Sequence, residues 1–257
     1  MPKIICIANQ KGGVGKTTTA FNVGAGMSQQ GKKVLLIDFD GQANLSSYLG
    51  YENDGKPTIS ELLATAAANN PIQPKLAVRH NEQENVDYIP SNIALSSADI
   101  FLSNAICREQ ILKKILRHSD LADYDFIIID CLPSLGVLLT NALAASDSLI
   151  IPVQTHKFAM DGLTKLLDVY RLIKDNVNQN IEINGILLTM TDDTNMSKAV
   201  EDNLRDTYGN IVYTSKIRRA VEVVNSTYSL QSVASIKNSK RGAEYLAVTN
   251  EIIERII

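Results

Sequence analysis

Residues 8–19 read Ala-Asn-Gln-Lys-Gly-Gly-Val-Gly-Lys-Thr-Thr-Thr. They sit between an apolar run, Ile4 to Ala8, and a helix-compatible stretch from Thr17 to Gln30. Buried strand, glycine-rich turn and helix, in that order, form the setting of a phosphate-binding loop. Gly12, Gly13 and Gly15 let the backbone curl until several N–H groups, including that of Val14, converge on one anion. The helix N-terminus adds its positive dipole end, and Thr18 lies in that first turn. Lys16 can reach the β- and γ-phosphates of a nucleotide, and the Thr17 hydroxyl can sit on Mg²⁺. Lys11 stands ahead of the glycines, where an ordinary loop of this class needs no lysine; taken alone it reads as a surface charge.

Apolar strand-like runs alternate with helical segments along the rest of the chain. Strands are expected near 3–9, 34–38, 86–90, 125–130, 147–153, 182–189 and 211–213, and helices near 16–30, 58–69, 97–117, 135–145, 158–175, 195–207 and 240–256. Several strands are apolar throughout, as when helices cover both faces of a parallel sheet. Thr58 and Glu61 have capping-box spacing, while the polar stretch 69–85, with Pro71 and Pro74, reads as a surface connection. The expected architecture is an α/β, doubly wound, mostly parallel twisted sheet with helices on both faces, forming a single domain over 1–257. Such sheets bind ligands beyond the carboxyl ends of their strands. The glycine loop, Asp38, Asp40 and Asp130 all fall there.

Composition narrows the classes. No apolar run approaches the ~18 residues of a membrane span. The N-terminus runs straight into a strand, so no secretion signal is expected. Three unevenly spaced cysteines make no disulfide framework, so a reducing, cytoplasmic setting is expected. His80, His118 and His156 lie far apart and suggest no zinc site.

The sequence from Lys11 to Thr18, KGGVGKTT, resembles the deviant Walker A signature of the ParA/MinD group of P-loop ATPases. Asp38-Phe39-Asp40-Gly41-Gln42 is similar to that group's switch I, usually DxDPQ, with glycine in place of proline. Tyr124 to Asp130 resembles its Walker B strand, and Cys131-Leu132-Pro133-Ser134-Leu135-Gly136 its CPPSLG switch II, with Leu132 for proline. The partition branch, ParA/Soj-like, fits best, although 214–238 departs from it.

The resemblance implies an ATPase with ATP and Mg²⁺ as cofactors, working as a nucleotide-sandwich homodimer. Lys11 would then contact the partner's ATP. Asp130 would hold the metal through water, Asp38 would support the metal's waters, and Asp40 would position the attacking water. Adenine contacts would come from near 214–221, where no base-reading residue stands out. Hydrolysis would be slow and stimulated by a ParB-like centromere-binding protein.

The whole chain carries a net charge of −3, yet between 214 and 243 six cations (Lys216, Arg218, Arg219, Lys237, Lys240 and Arg241) face one acid, Glu222. Such a patch can hold a phosphate backbone without reading sequence. The resemblance implies non-specific DNA binding in the ATP state, and so a nucleoid-associated protein that segregates a plasmid or chromosome, or positions a protein cargo.

A MinD-like membrane-associated ATPase is the main rival. The C-terminal stripe Ile252, Ile253, Ile256, Ile257 carries two glutamates and one arginine, which suits core packing better than an anionic bilayer, so no membrane partner is expected. An iron–sulfur ATPase would need Cys107 and Cys131 in a ligating context they lack, and a metal carrier would need a C-x-x-C motif that is absent.

Overall fold

The computed structural model describes residues 1–156 and 159–256. Its sheet is built from β1 (Lys3–Ile7), β2 (Val34–Phe39), β3 (Arg79–Asn81), β4 (Val86–Ile89), β5 (Phe126–Cys131), β6 (Ser148–Gln154) and β7 (Glu182–Thr189). The strand order is β3-β4-β2-β5-β1-β6-β7. All neighbours run parallel except the β3–β4 edge hairpin.

The helices are α1 (Lys16–Gln29), α2 (Asn44–Tyr48), α3 (Ile59–Ala67), α4 (Ala98–Leu102), α5 (Ile111–Leu116), α6 (Val137–Ala145), α7 (Ala159–Asn176), α8 (Asn195–Tyr208), α9 (Val221–Tyr228) and α10 (Lys240–Ile256).

Period-two alternation divides each central strand between two cores. Ile4 and Cys6 of β1, with Ile127, Ile129 and Cys131 of β5, face the layer that includes α3, α5, α6 and α7. Ile5, Ile7, Phe126 and Ile128 face α1 and α10. Both faces are buried, which is why these strands read as unbroken apolar runs. The Thr58 cap forms as its spacing suggests: its backbone N–H donates to Glu61, and its hydroxyl accepts from Ser60.

Three expectations change. The helix expected over 97–117 is broken: α4 ends at Leu102, turns follow, and Cys107 takes a left-handed backbone before α5 begins at Ile111. The strand expected at 211–213 contributes only an isolated bridge, Ile186 to Val212, although the chain stays hydrogen-bonded along the β7 edge, through Tyr213 to Ile186 and Ile217 to Leu188. The connection 69–85 contains the short edge strand β3. The C-terminal helix forms, with Ile252 and Ile253 buried against the second core. Lys157, Phe158 and Ile257 lie outside the described residues, and with them the expected helix start at 158 and the last isoleucine of the stripe.

Candidate nucleotide site

The strand order brings the carboxyl ends of β2, β5 and β1 side by side, and β6 and β7 follow. After β1 the chain enters the glycine loop. Gly13 and Gly15 take left-handed backbones, at φ +71° and +85°, which side-chain-bearing residues rarely adopt. Gly15 is also the N-cap of α1.

The loop is tied at both flanks. Asn9 donates to the Pro152 carbonyl at the end of β6 (2.7 Å) and accepts the Lys11 N–H (3.0 Å). At the end of β7, the Thr189 hydroxyl donates to the Val14 carbonyl (2.9 Å). Neighbouring strands thus hold the loop curled. Gly12, Gly13, Gly15, Lys16, Thr17 and Thr18 line a cavity of about 300 Å³ together with Asp40, Asn44, Tyr48, Pro133 and Met190. Val14 is buried and is not among the lining residues.

Lys16 folds back so that Nζ donates to the Lys11 carbonyl at 3.1 Å. Burial lowers its ammonium below the ordinary lysine value, while Asp130, Cys131 and Asp40 pull it back up. A phosphate entering the loop would supply the missing counter-charge.

Asp130 is buried, and neither of its carboxylate oxygens completes a hydrogen bond. Burial drives its pKa well above the usual carboxylate range. Asp38, directly opposite in the β2–β5 register, raises it further, and the nearby Thr17 hydroxyl and Lys16 temper the rise. A buried carboxylate without partners is costly unless a cation completes it. Thr17 and Asp130 therefore fit Mg²⁺. Among the described residues no cluster of three or more His, Cys, Asp or Glu is placed to hold a metal unaided. The ion would thus arrive with phosphate oxygens and water.

Asp38, opposite Asp130, is held by its own neighbours. Its Oδ2 accepts from both the Ser46 N–H and hydroxyl (2.7 Å each), and its Oδ1 accepts the Asp40 N–H at 3.2 Å. Burial pushes its pKa up to about 6, against the pull of these hydrogen bonds. It anchors the turn that carries Asp40. The Asp40 carboxylate is half-exposed at the cavity wall, where its Oδ1 accepts the Gln42 N–H (3.0 Å). Ser46 and Asn9 are site-building residues that sequence reasoning missed; neither carries a signal beyond its nearness to the motifs.

A second cavity of about 380 Å³ shares Gly15, Thr18 and Met190 with the first and continues along Ile217 to Val221, Val223, Val224 and Tyr245. Its wall is largely apolar, with Arg218 and Arg219 among its lining. Met190 lies where the two cavities meet and holds a left-handed backbone at φ +50°, uncommon for a residue of its bulk. The segment 214–221 thus borders a nucleotide-sized space, although α9, absent from the sequence expectations, supplies part of the wall.

The basic segment is less positive than its composition suggests, because two of its cations are paired with acids lying outside 214–243. Lys216 is paired to Glu201 at 2.7 Å. Arg241 is paired to Glu244 at 3.0 Å and is largely covered. Arg218, Arg219, Lys237 and Lys240 remain exposed, without a carboxylate salt bridge among the described residues. Cys131, which opens switch II, is buried beside Cys6; that neighbour and burial both push its thiol up, so it packs as a neutral residue.

A glycine loop between strand and helix, with carboxylates at the ends of neighbouring parallel strands, defines a P-loop nucleotide-binding protein. The AAA domain family model matches residues 2–183. The chain belongs to that family and, within it, to the Soj/ParA group of partition ATPases. It is 41% identical to the sporulation initiation inhibitor protein Soj of Bacillus subtilis over 255 residues, covering 98% of both chains. It is 39% identical to the chromosome-partitioning ATPase Soj of Treponema pallidum, covering 99% of this chain and 98% of that one. Among solved structures, cobyrinic acid a,c-diamide synthase from Mycobacterium smegmatis with bound ATP analog and magnesium superposes with a TM-score of 0.78. It is 32% identical and the match covers 90% of this chain and 93% of that one.

Proposed function

We propose that this protein is an ATP-dependent dimerising switch that binds DNA non-specifically and moves or partitions a plasmid, chromosome or other cargo, with hydrolysis stimulated by a ParB-like partner. The observation that carries the reading is the buried, unsatisfied Asp130 carboxylate beside Lys16 and Thr17 at the foot of the glycine loop. That arrangement supports a nucleotide triphosphate with Mg²⁺ as the ligand. Bound Mg²⁺ would neutralise phosphate charge during transfer.

The chain's own groups divide the remaining work. Loop N–H groups from Gly12 to Thr17 and the Lys16 ammonium hold the phosphates. Thr17 and Asp130 are the metal's protein anchors. Asp40 orients water from the cavity wall, and Asp38, fixed by Ser46, sets the position of Asp40. The apolar cavity around Met190 receives the adenine. Lys11, at the loop's outer edge, reaches the nucleotide of a second copy, so turnover waits on dimerisation. Among the described residues no helix is long and apolar enough to cross a membrane. The protein acts in the cytoplasm, on the nucleoid when ATP is bound.

Sedimentation of the Asp40→Ala variant tests the switch. With ATP and Mg²⁺ it should accumulate as a dimer and fail to turn over; a persistent monomer that still binds ATP would refute the dimer reading.

A further inference from the structure

The break in the helix expected over 97–117 opens a groove that the nucleotide chemistry does not use. It lies between the C-terminal end of α3 and α5, has a volume of about 660 Å³, and is separate from both cavities described above. α3 begins beside the Pro90 carbonyl, at the sheet edge that carries the phosphate loop, and runs away from it. At the other end, Arg117 donates to the Pro2 carbonyl and pairs with Asp147, next to the starts of β1 and β6. The groove therefore sits toward the far edge of the sheet.

Its lining combines two properties. Ala66, Ala67 and Ile111 give it an apolar floor, and Ile106 at its margin is 89% exposed, a large apolar side chain with nothing over it. Lys113 and Lys114 stand along the same groove, and neither has a carboxylate partner among the described residues; Lys114 donates only to the Asn69 amide oxygen, at 3.2 Å. Among the described residues no acidic one lines the groove, although the chain as a whole is net −3. An apolar floor beside uncompensated ammonium groups complements an amphipathic segment with acidic flanks. A phosphodiester backbone would use the lysines and leave the floor and Ile106 uncovered.

We propose that this groove docks an acidic amphipathic segment of a partner protein, on a surface remote from the nucleotide. Its occupant would differ from any segment that acts at the phosphate loop, and the inference does not rest on the functional reading above.

Cys107 lines the groove and is exposed, whereas Cys6 and Cys131 are buried, so an aromatic disulfide reagent reports on Cys107 in the folded protein. The probe is a synthetic helix of about 14 residues, with leucines at helical spacing and glutamates elsewhere. Controls are the same peptide with lysine for glutamate and a short DNA duplex. The acidic peptide should slow Cys107 modification saturably, by about fivefold or more at low salt and less at high salt. Lys113→Glu with Lys114→Glu should abolish that protection, and Ile106→Ser should weaken it. The proposal is overturned if the acidic peptide gives no saturable protection, if the lysine peptide or the duplex protects equally, or if the charge-reversed variant is protected as well as the wild type.

Discussion

Gly41 packs against Ser96 so closely that a side chain at position 41 has no room. A Cβ there would lie only 3.0 Å from the Ser96 backbone nitrogen and closer still to its hydroxyl. Switch I is thus braced by the turn at Ile93–Ser97, and a second tie runs from the Ser91 N–H to the Ser46 hydroxyl, which itself donates to Asp38. The glycine found where the ParA/MinD group usually has proline therefore belongs with this particular brace. Gly41→Ala should cost about 1–3 kcal/mol in urea unfolding. Adding Ser96→Gly should return part of that loss, since contacting sites are non-additive. Additive losses would mean that the two residues do not share the constraint.

Lys16 is the loop's principal counter-charge. It is buried and donates to the Lys11 carbonyl. Lys16→Ala should abolish ATP binding in a calorimetric or fluorescence titration. Micromolar affinity retained in that variant would refute the phosphate-loop assignment.

Asp38 should leave a mark on the stability of nucleotide-free, Mg²⁺-free protein. Its pKa is about 6 when folded, against 3.8 for an unconstrained carboxyl. The folded state therefore keeps a proton that the unfolded state releases. The contribution is fully present below about pH 4 and is lost as pH rises to about 6, by roughly 3 kcal/mol. Compared with Asp38→Asn, the wild type should lose stability across that window in chemical unfolding series. Parallel profiles would show that the carboxyl is not perturbed.

The exposed cations of the basic segment should matter unequally. Arg218, Arg219, Lys237 and Lys240 are free to meet phosphate, while Lys216 is held by Glu201. Substituting any one of the four by alanine should weaken binding to all duplex sequences alike and reduce the salt slope by about one. Lys216→Ala should change less. Equal effects at all five positions would mean that the Glu201 pair opens on binding.

Much of this was legible beforehand. The apolar runs gave the central strands because both sheet faces are buried, and the glycine spacing placed the loop at the end of β1. The helix break at 103–110 was not legible: Ile100, Ile106 and Ile111 keep a helix-compatible apolar content, and only the left-handed backbone at Cys107 shows that the chain turns. The charge of the basic segment was overread for a similar reason. Glu201 lies outside the sequence window and reaches Lys216 only through the fold, whereas Glu244 stands just past the window's end, three residues from Arg241 on the same helix. The partners of Asp38 were equally hidden, since Ser46 lies in α2, a helix of five residues with too little periodicity to recognise.

The central claim is that nucleotide state controls attachment to DNA. It is tested most directly by measuring non-specific duplex binding of the wild-type protein with ATP, with ADP and without nucleotide, each at two salt concentrations. Binding that requires ATP and falls steeply with salt is the expected result. Absence of binding in every state, or equal binding in all three, would contradict the account.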